Sequence, residues 1–93
     1  MKISVSGNVV TISGNIKSIS DYQDIKNLLD TLENKNVVIN IKDSISITSS
    51  VIGYLNKLVL KDKVRIQMNI GNEQLMKLLE DLNLVSVFNA KKV

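Results

Sequence analysis

"VVINIKDSISITSSVIGYL", Val37 to Leu55, is the stretch on which the fold turns. Its first five residues, Val37 to Ile41, are apolar apart from Asn40. Such a run reads as a central strand covered on at least one face. "KDS", Lys42 to Ser44, breaks it, and "ISI", Ile45 to Ile47, reads as a short edge or loop segment. From Ser49 the apolar period changes from strand to helix. Val51, Ile52, Leu55, Leu58 and Val59 recur at helical spacing, so a helix running to about Lys61 is predicted, with these residues as its buried face. At the change of period stand three hydroxyls, Thr48, Ser49 and Ser50.

Small hydroxyls at a helix start have two uses. A Ser or Thr oxygen accepts a hydrogen bond from a free first-turn N–H group, and on that reading Thr48 or Ser49 is an N-cap. A helix start also tolerates a phosphate, because its free N–H groups and partial positive charge can accommodate one. Phosphorylation there adds about −1.5 to −2 charges without having to melt the helix.

Outward from this stretch the pattern continues. "VRIQMNI", Val64 to Ile70, alternates, with Val64, Ile66, Met68 and Ile70 inward and Arg65, Gln67 and Asn69 outward. Gly71 and Asn72 open a further helix with Leu75, Leu78, Leu79 and Leu82 on its buried stripe, and "VSVF", Val85 to Phe88, reads as a last short strand before a basic tail. Towards the N-terminus, "KISVS" and "VVTIS" alternate on either side of Gly7–Asn8, a hairpin signal. Ser20 with Gln23 reads as a capping box, with Asp21 and Asp24 in the first turn. Tyr22, Ile25, Leu28, Leu29 and Leu32 form the apolar face of that helix, which is predicted to end near Asn34. The order is ββαβ(β)αβαβ. It predicts a single α/β domain over residues 1–93, a mixed sheet of four to five strands with helices packed mainly on one face.

Composition removes several function classes. With no Cys and no His, disulfides, thiolate chemistry, imidazole bases and the usual zinc site are excluded. Aromatics are 3% of residues, so Ile, Leu and Val must build the core. No apolar run reaches the roughly 18 residues of a membrane span. The alternating N-terminus does not read as a signal peptide, and a reducing cytoplasm fits the cysteine-free chain. The net charge is +3, but the Lys residues are scattered and Arg65 is the only Arg, so no nucleic-acid partner is expected. Asp43 and Asp62 read as loop acids without a catalytic partner, and "GNE", Gly71 to Glu73, as a helix cap rather than a phosphate loop. No acid, base and nucleophile can be assembled, so no enzyme, cofactor or metal is expected.

Three ordered segments resemble the STAS domain, named for sulphate transporters and anti-sigma factor antagonists. "SGNIKS", Ser13 to Ser18, stands at the family's Gly-x-Leu-Asp motif. "VVINIKDSISITSSVIGYL" stands at its strand and Asp-Ser-Ser-Gly helix start, and "VRIQMNIGNEQLMKLLEDLNLVSVF" at its closing strand, helix and final strand. Lys17, Thr48 and Val51 depart from the pattern, standing where Asp, Asp and Gly are usual. The resemblance implies that Ser49 is the serine presented to a cognate kinase, ahead of Thr48 or Ser50 as acceptor. It implies a contact surface of Thr48, Ser49, Ser50, Gly53 and Tyr54. The implied function is that of an anti-sigma factor antagonist, which switches partners through phosphorylation. Its partner would be an anti-sigma factor that is also a serine kinase, or a related switch protein. The same family also implies an alternative, a constitutive adaptor for the ATPase of a bacterial lipid-transport ABC complex. Nucleotide binding is a third and lesser implication.

Overall fold

The structure, a computed structural model, describes residues 1–93. Its elements are β1 (Lys2–Ser6), β2 (Val9–Ser13), α1 (Ile19–Asp30), β3 (Asn36–Ile41), α2 (Ser49–Leu60), β4 (Arg65–Ile70), α3 (Glu73–Asp81), α4 (Val85–Phe88) and β5 (Ala90–Lys92). The five strands form one sheet in the order β1-β2-β3-β4-β5. Only the β1–β2 hairpin is antiparallel; the other three pairs are parallel. Gly7 turns the hairpin at φ +61°, a conformation that costs a residue without a Cβ little.

β3 lies at the centre, as the run Val37–Ile41 predicts. The parallel register aligns Val10 with Ile39, and Ile39 with Met68. It also aligns Ile12 with Ile41, and Ile41 with Ile70. Every second residue of three strands is thereby placed on one face, and all of these are buried. The helices cover that face, burying Ile25 and Leu29 of α1, Val51, Leu55 and Leu58 of α2, and Leu75 and Leu79 of α3 in one contiguous core. The result is a mixed α/β sheet layered on one side by helices, consistent with a STAS-like fold.

Several local expectations are corrected. The α1 cap is Ser18 and not Ser20: the Asp21 N–H donates to the Ser18 hydroxyl at 3.0 Å, and the N–H groups of Lys17 and Ser18 both donate to Asp21. The Ser18–Asp21 pair has the spacing of Ser20–Gln23, but its carboxylate makes charge-assisted bonds that an amide cannot match. The backbone bond from Lys17 is the main cause holding the Asp21 carboxyl below its usual range. The helix also ends at Asp30, where the Thr31 hydroxyl donates to the Leu28 carbonyl and closes the last turn, four residues before Asn34.

"VSVF" is a helical turn, α4, and not a strand. Leu84 and Phe88, four apart, are both buried, and the Phe88 N–H donates to the Leu84 carbonyl at 3.1 Å. That pair outweighs the short alternation. Asn89 stops the turn in the left-handed region at φ 47°, and its side-chain amide donates to the Ile66 carbonyl at 2.8 Å. The chain re-enters the sheet one residue later, with Ala90 beside Met68. Leu82 is not on the buried stripe of α3: it caps the helix and is 47% exposed, while Leu84 points into the core in its place. In α2, Ile52 and Val59 are only half-buried at the margin of the predicted face. "ISI" is a loop.

Candidate functional site

β2 and β3 are parallel neighbours, so the loops that follow them must run side by side. Three hydrogen bonds join them. Gly14 N–H donates to Asp43 Oδ1 at 2.7 Å, Ile16 N–H to Ser44 Oγ at 3.0 Å, and Ile45 N–H to Asn15 Oδ1 at 3.1 Å. Ser44 is fully buried, and its hydroxyl also donates to the Ser46 carbonyl at 2.6 Å. A buried hydroxyl with both a donor and an acceptor bond stabilises the loop rather than straining it. Ile47 then inserts into the core and fixes where α2 begins.

These anchors aim the hydroxyl cluster. Thr48 is the N-cap: its Oγ1 accepts from Val51 N–H at 3.3 Å, and its carbonyl accepts from Ile52 N–H at 3.0 Å. Ser49 and Ser50 are the first two residues of the helix and both are exposed. The capping role therefore belongs to one residue of the three. Thr48 does the capping, and the Ser49 hydroxyl is not spent on it. The first turns of α1 and α3 carry Asp21 and Glu73, whereas that of α2 carries no acid, so its partial positive charge is not offset by a side chain.

Gly53, four residues on from Ser49, is also exposed, and a Cβ built on it would meet nothing within 4 Å. The surface beyond the hydroxyls is thus low and unobstructed. Ile45 and Ile19, in the loop after β3 and at the start of α1, are exposed apolar residues at the same end of the sheet.

Tyr54 is not part of this surface. It is 6% exposed, and its hydroxyl donates to the Asp30 carboxylate across the seam between α1 and α2. Lys26 and Lys57 lie 5.7 and 6.0 Å from its ring centre. Burial first, and then the bond to Asp30, push the tyrosine pKa well up, because both disfavour the phenolate. Asp30 is held below its usual range by Lys26, 2.7 Å away, and next by the Tyr54 bond. The role implied for Tyr54 as a partner contact is corrected to that of a clasp between two helices.

Sequence reasoning missed the frame residues Asn15, Asp43 and Ser44. The available signal was topological: polar residues in the loops after two paired parallel strands are candidates to bond each other. No helix is long and apolar enough to cross a membrane. The chain matches no family model, no curated protein and no solved structure.

Proposed function

We propose that this chain is a non-enzymatic interaction module of the anti-sigma factor antagonist type, which changes partners when Ser49 is phosphorylated. The observation that carries this reading is the division of labour at the start of α2. Thr48 holds the helix, so Ser49 can be modified without removing the cap. The loop before it is pinned by Asp43, Ser44 and Asn15, so the acceptor is presented on a fixed frame.

In the modification, the Ser49 oxygen attacks the γ-phosphorus of ATP held by a partner kinase. The bond from that phosphorus to ADP breaks, and the hydroxyl proton passes to the kinase's base. The new group is met by a helix end that no acidic side chain neutralises. A partner seated over Ser49, Ser50 and Gly53 would then face a desolvated double negative charge and dissociate. The partner class is an anti-sigma factor with kinase activity, or a related switch protein, in a bacterial cytoplasm.

The test is incubation with the serine kinases of the same cell, with the modified residue located by mass spectrometry and affinity measured for Ser49→Asp and Ser49→Ala. Phosphate on Ser49, weakened binding of the Asp variant and retained binding of the Ala variant are the expected result. Thr48→Ala serves as a control, losing about 1 kcal/mol of stability through the cap without losing the acceptor. Equal affinity of the Asp and Ala variants would instead assign the surface to a constitutive adaptor of an ABC-complex ATPase.

A further inference from the structure

The face of the sheet turned away from the helices is polar and its charge is one-sided. In-register pairing lines up Ser4, Thr11, Asn40, Asn69 and Lys91 in one row across all five strands. Within that row Asn69 Nδ2 donates to Asn40 Oδ1 at 2.8 Å, and from the next position on the same face of β4 Gln67 Nε2 donates to Asn69 Oδ1 at 3.3 Å. The Thr11 hydroxyl, the Asn40 amide and the Lys91 ammonium remain as donors. Lys42 joins them, since it lines with Thr11, Asn40 and Asn69 a shallow hollow of about 450 Å³. Lys2 and Arg65 alternate onto the same face and are exposed. No strand contains an acidic residue; all nine acids of the chain lie in helices and connecting segments. A net charge of +3 therefore conceals a face that is cationic and rich in donors.

We propose that this open face docks an acidic protein segment, independently of Ser49. Charge complementarity selects the occupant. A second copy seated face to face would set cations against cations. A single nucleic-acid strand needs stacking platforms, and Tyr22, Tyr54 and Phe88, the only aromatics, stand in helices and not in strands. An anionic membrane calls for a tight basic cluster or an exposed apolar wedge. Here the cations are spread from one edge of the sheet to the other, Val9 and Val38 between them are half-buried, and Val93 at the rim of the hollow is a single exposed valine rather than a wedge. Five strands spaced about 4.8 Å apart span roughly 19 Å, the length of about six extended residues. Glutamates or aspartates in such a segment would meet Lys42, Arg65 and Lys91 as ion pairs, and the amide row would bond its backbone.

The test is a titration of the full chain, labelled with nitrogen-15, with decaglutamate at low salt. An oligothymidylate and phosphatidylglycerol vesicles are run in parallel. The expected result is movement of the amide signals of Thr11, Asn40, Gln67 and Asn69 with decaglutamate. Affinity should fall about tenfold or more in the double variant Lys42→Glu, Arg65→Glu, as like-charge juxtaposition requires. Thermal unfolding of that variant checks its fold, and Lys91→Glu repeats the charge reversal on another strand. Ser49→Ala should bind decaglutamate as the wild type does. Shifts confined to the helices, variants that bind undiminished, or tighter binding to the oligothymidylate or the vesicles would each overturn the proposal.

Discussion

Ile39 and Asn40 are consecutive residues of the central strand, yet they belong to opposite halves of the molecule. Ile39 is 2% exposed beneath the helices, whereas Asn40 is part of a hydrogen-bonded amide row on the open face. The same contrast repeats between Met68 and Asn69 on β4. Strand geometry alone separates them, since successive side chains leave opposite faces. Stability is concentrated on the covered face, where burial removes apolar area from water. The open face keeps polar groups solvated, and there a substitution removes little apolar burial.

The largest test of that contrast is Ile39→Ala against Asn40→Ala. Ile39→Ala should cost about 2–5 kcal/mol, as truncations in a close-packed core do. Asn40→Ala should cost no more than about 0.5–1.5 kcal/mol, the net worth of the hydrogen bond it accepts from Asn69. Urea midpoints for the two variants measure the difference directly. Similar midpoint shifts would show that the open face is not a free surface.

A second test uses two glycines. A Cβ on Gly71 would come to 2.0 Å from the Lys42 carbonyl oxygen, where the ends of β3 and β4 are pinched together. The Gly71 N–H also donates to the Ile41 carbonyl at 2.9 Å, so the backbone has little room to retreat. Gly71→Ala should destabilise by about 1–3 kcal/mol through overpacking. Gly53→Ala, on the open side of α2, should instead stabilise by about 0.5–1 kcal/mol, because alanine loses less backbone entropy in a helix. Thermal unfolding that moved in the same direction for both would refute this account of Gly71.

The smallest expected effect is at the seam between α1 and α2. Tyr54→Phe should cost about 0.5–1.5 kcal/mol at neutral pH, the net worth of one hydrogen bond. Its signature is in the pH profile. The folded state holds the Tyr54 pKa above its ordinary value of about 10, so the tyrosine's contribution is fully present below pH 10. It is lost as pH rises above 10 towards the folded-state value. Asp30 has the opposite sign: its pKa is lowered by Lys26 and then by Tyr54, so its contribution is present above about pH 4 and fades as acid protonates it. Urea midpoints between about pH 9 and 11 should fall more steeply for the wild type than for Tyr54→Phe. Parallel curves would remove Tyr54 from the clasp.

Much of this architecture was legible in the residues. Alternation in Val64–Ile70 marked β4 with the correct inward face, and the Gly7–Asn8 hairpin and the start of α2 at the hydroxyl cluster followed from turn and period signals. Short elements were less legible. In "VSVF" alternation and an i, i+4 pair with Leu84 compete over four residues, and only burial of Phe88 against the sheet decides between them. Tyr54 read as surface because it falls beside the hydroxyl cluster in sequence. Its place at the back of α2 follows from Asp30, which is 24 residues away in the chain.

By itself, the sequence determined the class of fold, the covered side of β4 and the position of three hydroxyls at a helix start. These depend on local periodicity and capping chemistry, which act over a few residues. Only the tertiary structure decided which hydroxyl caps and which is free, that Ser44, Asp43 and Asn15 hold the loop, and that the strands' cations share one acid-free face. Those outcomes depend on strand register and on which loops become neighbours. Both are properties of contacts between distant residues, and no local pattern along the chain encodes them.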